Sequence, residues 1–209
     1  DNGSIVLSNF PANSNFTWDA SNGAILPSSN EVTGLASGVY FVTVSDANGC
    51  PAVTNVTLSQ PANAVDVGTV VVSDFNGSDI SCVGASDGAA LATGSGGTGS
   101  YSFDWGTSTI DSLTNVAAGT YMVTITDSLG CQDTASVTLV NPPALIGTIT
   151  SQTDVLCRGD STGSATVTAS GGTGTYTYIW SNGQTTATNI NLPSGTHTVT
   201  VGDVNGCTV

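Results

Sequence analysis

A sixteen-residue pattern occurs three times in this chain. It runs from Leu35 to Cys50, from Val116 to Cys131 and from Leu192 to Cys207. Each copy reads apolar-x-x-Gly-x-Tyr/His-x-Val-x-Val/Ile-x-Asp-x-x-Gly-Cys. Other landmarks keep step with it. Trp18, Trp105 and Trp180 are 87 and 75 residues apart, and Cys50, Cys131 and Cys207 are 81 and 76 apart. Self-similarity at a fixed period means tandem copies of one small module. The expected boundaries are 1–60, 61–142 and 143–209. The extra residues lie in polar, turn-rich stretches such as 21–33, as insertions in surface loops do.

Regular alternation sets the fold class. Tyr121, Val123 and Ile125 fall on one face of a strand, with Met122, Thr124 and Thr126 on the other. Tyr40/Val42/Val44 and His197/Val199/Val201 repeat this face. A second strand carries Tyr101, Phe103 and Trp105, echoed by Tyr176, Tyr178 and Trp180 and, in shorter form, by Phe16 and Trp18. Further strands are expected at 52–58 and 135–140. Gly, Asn, Ser and Asp clusters punctuate them as turns. The expected fold is all-β: tandem immunoglobulin-like (PKD-like) β-sandwich modules. Their core would hold Trp18, Trp105, Trp180, Tyr40, Tyr121 and His197. The linkers Ser59-Gln60-Pro61 and Asn141-Pro142-Pro143 stop strands and stiffen the joints.

A module of about 75–85 residues buries only roughly 60% of its unfolded surface, so a covalent staple helps. One early and one late cysteine recur per module. Constant position suggests one disulfide in each, Cys82–Cys131 and Cys157–Cys207. Cys50 would pair with a cysteine upstream of Asp1, since the early Cys stands six residues before the marker Gly88 or Gly163 and the matching glycine is Gly3. This pairing implies an oxidising, extracytoplasmic setting. Metal binding is the alternative, weakened by the lack of a CxxC or Cys/His cluster. Several segments have no counterpart at one end or the other, so the chain reads as a piece of a longer polypeptide.

Charge narrows the partners. Only 8% of residues are charged, the net charge is −14, no Lys occurs, and Arg158 is the single Arg. Nucleic acid is excluded as a partner, because nothing neutralises phosphate. An anionic membrane surface fails for the same reason. No run of 18 apolar residues exists to insert into a bilayer. Trypsin-like proteases have only Arg158 to cut, beside Cys157 in what would be a disulfide-tethered turn.

The order Cys-x5-Gly, Gly-Gly-x-Gly-x-Tyr-x-Tyr-x-Trp, Gly-Thr-Tyr-x-Val-x-Val-x-Asp-x-x-Gly-Cys, then a strand and Pro, resembles SprB-type repeats. Copies two and three carry it best. Copy one has 9–15 in place of the glycine turn, and copy three has His197 at the Tyr position. The resemblance implies very long surface proteins of Bacteroidetes, including gliding-motility adhesins, secreted by the type IX route. It also implies O-glycosylation of Asp-Ser/Thr-aliphatic or Thr sites, here Ser112, Ser128, Thr134 and Ser161. Expected partners are other surface proteins, glycans or copies of this chain, the last building a homo-oligomeric fibre.

The remaining motifs divide between structure and chemistry. Gly94-Ser-Gly96-Gly-Thr-Gly99 matches a dinucleotide-binding pattern, but an aromatic strand follows it where a helix is required. His197, the only histidine, has no nucleophile and orienting acid in an equivalent position. Asp46, Asp127 and Asp203 open Asp-x-x-Gly-Cys turns, where Asp bonds its own backbone. They are also candidate calcium ligands, as are Asp74, Asn76 and Asp79, which lack EF-hand spacing. Calcium is the one cofactor the acidity suggests. No catalytic constellation is expected, so the chain reads as a structural or adhesive stalk segment at the cell surface. A filament subunit and an accessory module of a secreted enzyme are the alternatives.

Overall fold

The computed structural model describes residues 2–209. Every regular element among them is a β-strand, and the chain divides into two compact units, Asp1–Ala62 and Asn63–Val209.

The first unit is copy one. β1 (Gly3–Val6), β2 (Asn15–Ala20), β3 (Glu31–Leu35), β4 (Gly38–Ser45) and β5 (Pro51–Leu58) form two sheets. β1 pairs with β3, and β4 lies between β2 and β5, all antiparallel. Ile5, Val32 and Leu35 from one sheet meet Ala20 and Tyr40 from the other.

The second unit holds copies two and three. Copy two comprises β6 (Asp66–Val71), β7 (Gly88–Ser95), β8 (Ser102–Asp104), β9 (Ser112–Val116), β10 (Gly119–Thr126) and β11 (Gln132–Leu139). Its sheets run β6-β7-β9 and β8-β10-β11. Val67, Ala90, Ala92 and Leu113 of the first face Val123, Ile125, Val137 and Leu139 of the second across one core. The alternation of β10 explains its placement. Val123 and Ile125 are fully buried while Met122, just before them on the opposite face, is 65% exposed. Each buried aliphatic of this kind stabilises by about 1.5–3 kcal/mol.

Copy three comprises β12 (Ile146–Thr153), β13 (Gly163–Ser170), β14 (Thr177–Trp180), β15 (Thr188–Leu192) and β16 (Val199–Gly202). Its sheets, β12-β13-β15 and β14-β16, repeat the order of copy two. Thr208 bridges Gly202 where Gln132 pairs with Thr126, so 208–209 lie where β11 begins. The alternating face expected from His197 begins two residues later: pairing starts at Val199. β12 is exposed along its length, whereas β6 of copy two lies against β11.

The predicted core aromatics divide by depth. Tyr40, Trp105 and Trp180 are buried, while Trp18, Tyr121 and His197 are half-buried. Tyr40 and Tyr121 donate their hydroxyls to the carbonyls of Ala36 and Ala117, four residues back, at 2.8 and 2.9 Å. His197 Nε2 lies 3.0 Å from Pro193 O, the same four-residue step. Trp18 and Trp180 donate their indole N–H to Ser29 O and Thr186 O, but Trp105 Nε1 has no partner. Trp105→Phe is therefore expected to cost less stability than Trp180→Phe, since only the second breaks a hydrogen bond. Urea midpoints of the two variants check this, and equal losses would contradict it.

Candidate functional site: the joint between copies two and three

The most elaborate cluster of polar contacts lies where the top of copy three meets the bottom of copy two. It is built from two preformed turns.

The first is the late-Cys turn. In copy three Asp203 Oδ1 accepts the amides of Asn205 and Cys207 at 3.0 and 2.9 Å. Its Oδ2 accepts the amide of Thr173 at 2.9 Å. Asp127 makes the same three bonds, from Leu129, Cys131 and Thr98, each at 2.9 Å. Asp46 accepts from Asn48 and Cys50. The glycine turn exists to deliver the third amide. Gly97 and Gly172 have φ near +60°, and a Cβ at either would lie 2.7 Å from the Asp carboxylate. Gly94-Ser95 thus end β7, and Gly96–Gly99 form a turn that holds an aspartate, with no helix after it.

At Asp127 and Asp46 these bonds favour the charged carboxylate. Burial pushes the Asp127 pKa up, but the amides of Cys131, Thr98 and Leu129 outweigh it, and the net shift is downward. The Cys50 amide does most to lower Asp46. A lowered folded pKa stabilises fully above the unfolded value of about 3.9, and that stability is lost as pH falls through the folded value. The expected result is a melting midpoint that drops below about pH 4, with a shallower drop in Asp127→Asn. An unchanged slope in that variant would contradict the assignment.

The second element is the early-Cys loop. Ser81 N donates to Asp87 Oδ1, and a turn closes from Ala85 N to Cys82 O at 3.0 Å. Copy two inserts 74–79 ahead of this loop. There Asp74 Oδ1 accepts Gly77 N at 2.7 Å, and Asp79 Oδ2 accepts Val140 N at 2.8 Å.

At the joint these elements interlock. Asn205 Nδ2 donates to Phe75 O at 3.0 Å and Ser81 O at 3.4 Å, and its Oδ1 accepts from Asn76 Nδ2 at 2.5 Å. Cys207 Sγ bonds Cys82 Sγ, with Cα atoms 5.6 Å apart. Pro142, Pro143 and Gly172 line the adjoining cleft.

The cysteine pairing expected from spacing is therefore corrected. Cys82 joins Cys207 of the next copy; it does not join Cys131. Cys131 and Cys157 are unpaired and exposed, as is Cys50. The physical reason is the direction of β7. The early Cys precedes that strand and the late turn packs beyond its far end, at Thr98. Eight residues of strand separate them by about 23 Å, far beyond the roughly 7 Å a disulfide spans. Arg158 accordingly sits exposed beside a free thiol, and no disulfide tethers its turn. The cysteine placed upstream of Asp1 lies outside the described residues.

The candidate calcium ligands do not converge. Asp127 and Asp203 use both carboxylate oxygens on backbone amides and Asp46 uses Oδ1, Asp74 and Asp79 accept the amides of Gly77 and Val140, and Asn76 donates to Asn205. Among the described residues no three His, Cys, Asp or Glu side chains gather as a metal would need. Of the candidate glycosylation sites, Ser128, Thr134 and Ser161 are exposed and Ser112 is half-buried. Sequence reasoning missed Asn205 and Ser81, whose role depends on a neighbouring copy. The insertion at 74–79 was the available signal.

Comparison with known families gives the SprB repeat, matched at residues 75–109 and 149–185. Both segments start ahead of an early Cys and end just past the tryptophan. No curated protein matches the chain.

Proposed function

We propose, from the premise that this is a SprB-type repeat protein, that the chain is a tension-carrying stalk segment of a secreted cell-surface protein and has no enzymatic activity of its own. The Cys82–Cys207 bond carries the reading, because it ties consecutive repeats to each other. A catalytic pocket gains nothing from that arrangement, whereas an extended array gains a joint that neither slides nor opens. Immunoglobulin-like or PKD-like modules suit this role, since two packed sheets put the strands' hydrogen bonds across the load. The near-absence of Lys and Arg supports extracellular use, leaving trypsin-like enzymes one site at Arg158. Adhesion to glycans or surface proteins, and bundling of copies into a fibre, are further steps that the same array would permit.

Pulling single molecules from their two ends tests the proposal. The disulfide bypasses a loop of 125 residues. At about 3.6 Å per residue, roughly 450 Å of chain stays hidden until the bond is reduced. The expected trace gains that length only with a reductant present. The same length released without reductant would remove the basis for a tension-carrying role. Electron microscopy of the native protein separates single beaded strands from multi-chain shafts, and a compact particle would defeat both forms.

A further inference from the structure

Copy three carries a second early-Cys loop, Val155–Arg158, with Cys157 unpaired, and nothing among the described residues occupies it. We propose that this loop is a docking edge for the late-Cys turn of another SprB-type module that follows in line, and that Cys157 closes on that turn's cysteine as Cys82 closes on Cys207.

Both halves of such a joint are already shaped. Leu156 N donates to Thr162 Oγ1 at 3.1 Å, as Ser81 N donates to Asp87 six residues on. The turn from Asp160 N to Cys157 O matches that from Ala85 N to Cys82 O. The bonded loop and the free loop thus share one frame. The late turn shows the same constancy. Around Asp127, where Cys131 is free, it keeps the three amide bonds found around Asp203, where Cys207 is bonded. Partners shaped before contact dock without ordering cost. Surface chemistry agrees. Leu156 is 81% exposed on the free loop and Leu129 is 64% exposed on the free turn. The polar clamp of Asn205 on 74–79 has no counterpart in copy three, where that insertion is missing.

The interface is heterologous, loop to turn, so it propagates and does not close on itself. Each module gives its early Cys to the module after it and its late Cys to the module before it. Successive disulfide loops overlap: the loop closed by Cys82 and Cys207 contains Cys157. Joining two thiols releases two electrons and two protons to a thiol–disulfide oxidant, the class of reagent that forms Cys82–Cys207.

The test extends the full chain by one copy. Residues 134–209 are appended after Val209, so that 208–209 open the last strand of copy three. A second extension appends 134–141 followed by 61–131, which ends on the Leu-bearing turn. Either one answers if the other fails to fold by circular dichroism. In the 209-residue chain Cys157 should react with iodoacetamide under native conditions. In the oxidised extended chain it should be protected at least tenfold. Non-reducing peptide mapping should then find it joined to the appended late Cys, and Ser at that position should restore its reactivity. Cys157 left reactive in a folded extension overturns the proposal. So does its pairing with Cys131, with an appended early Cys, or with a second copy of the chain. The mapping reads connectivity alone, so its outcome is independent of whether the array carries tension.

Discussion

Trp105→Ala lowers the stability of copy two by about 3–5 kcal/mol, the range for truncating a large core side chain. Trp105 is 6% exposed and belongs to the cluster that includes Val123, Ile125 and Leu139. Its removal leaves a void between two sheets that the short β8 cannot collapse to fill. Its unpartnered Nε1 moderates the loss, because truncation also removes an orphaned donor. Urea unfolding followed by far-UV circular dichroism measures the effect. An unchanged midpoint would place Trp105 outside the core.

Cys82→Ser and Cys207→Ser each destabilise the second unit by about 5 kcal/mol, because the lost crosslink closes 125 residues. The double variant adds nothing further, since either single change already breaks the bond. Cys131→Ser and Cys157→Ser stay within about 0.5 kcal/mol, as exposed substitutions do. This pattern separates the joint from one disulfide per module, which would make Cys131→Ser as costly as Cys82→Ser. Denaturant melts of the four single variants in oxidised form decide it. The joint also couples the copies, so Cys82→Ser should split the second unit's unfolding into two transitions.

The repeats, the all-β class and the inward face of β10 were legible in the residues themselves. Alternation is a local signal: a strand's side chains point to opposite faces with a period of two, so Val123 and Ile125 mark the core without knowledge of the partner sheet. The Asp-x-x-Gly-Cys turn was equally readable, because its bonds from Leu129 N and Cys131 N span two and four residues. Its third bond, from Thr98, was not, because it crosses 29 residues. The His197 segment misled in a small way: the face it belongs to starts at Val199, where pairing with Trp180 begins.

Cysteine pairing marks where sequence spacing stops informing. The near-equal intervals from Cys82 to Cys131 and from Cys157 to Cys207 record the repeat, and any choice of partners consistent with the period preserves them. Only the tertiary structure decides which end of β7 each cysteine occupies. The chain enters β7 just after Cys82 and returns to Cys131 at the strand's opposite end, so one module's own pair stays apart. The next module, turned by the proline linker, brings Cys207 to Cys82. Local periodicity fixes faces, whereas bonding depends on the ends of strands, and those are set by how successive copies pack.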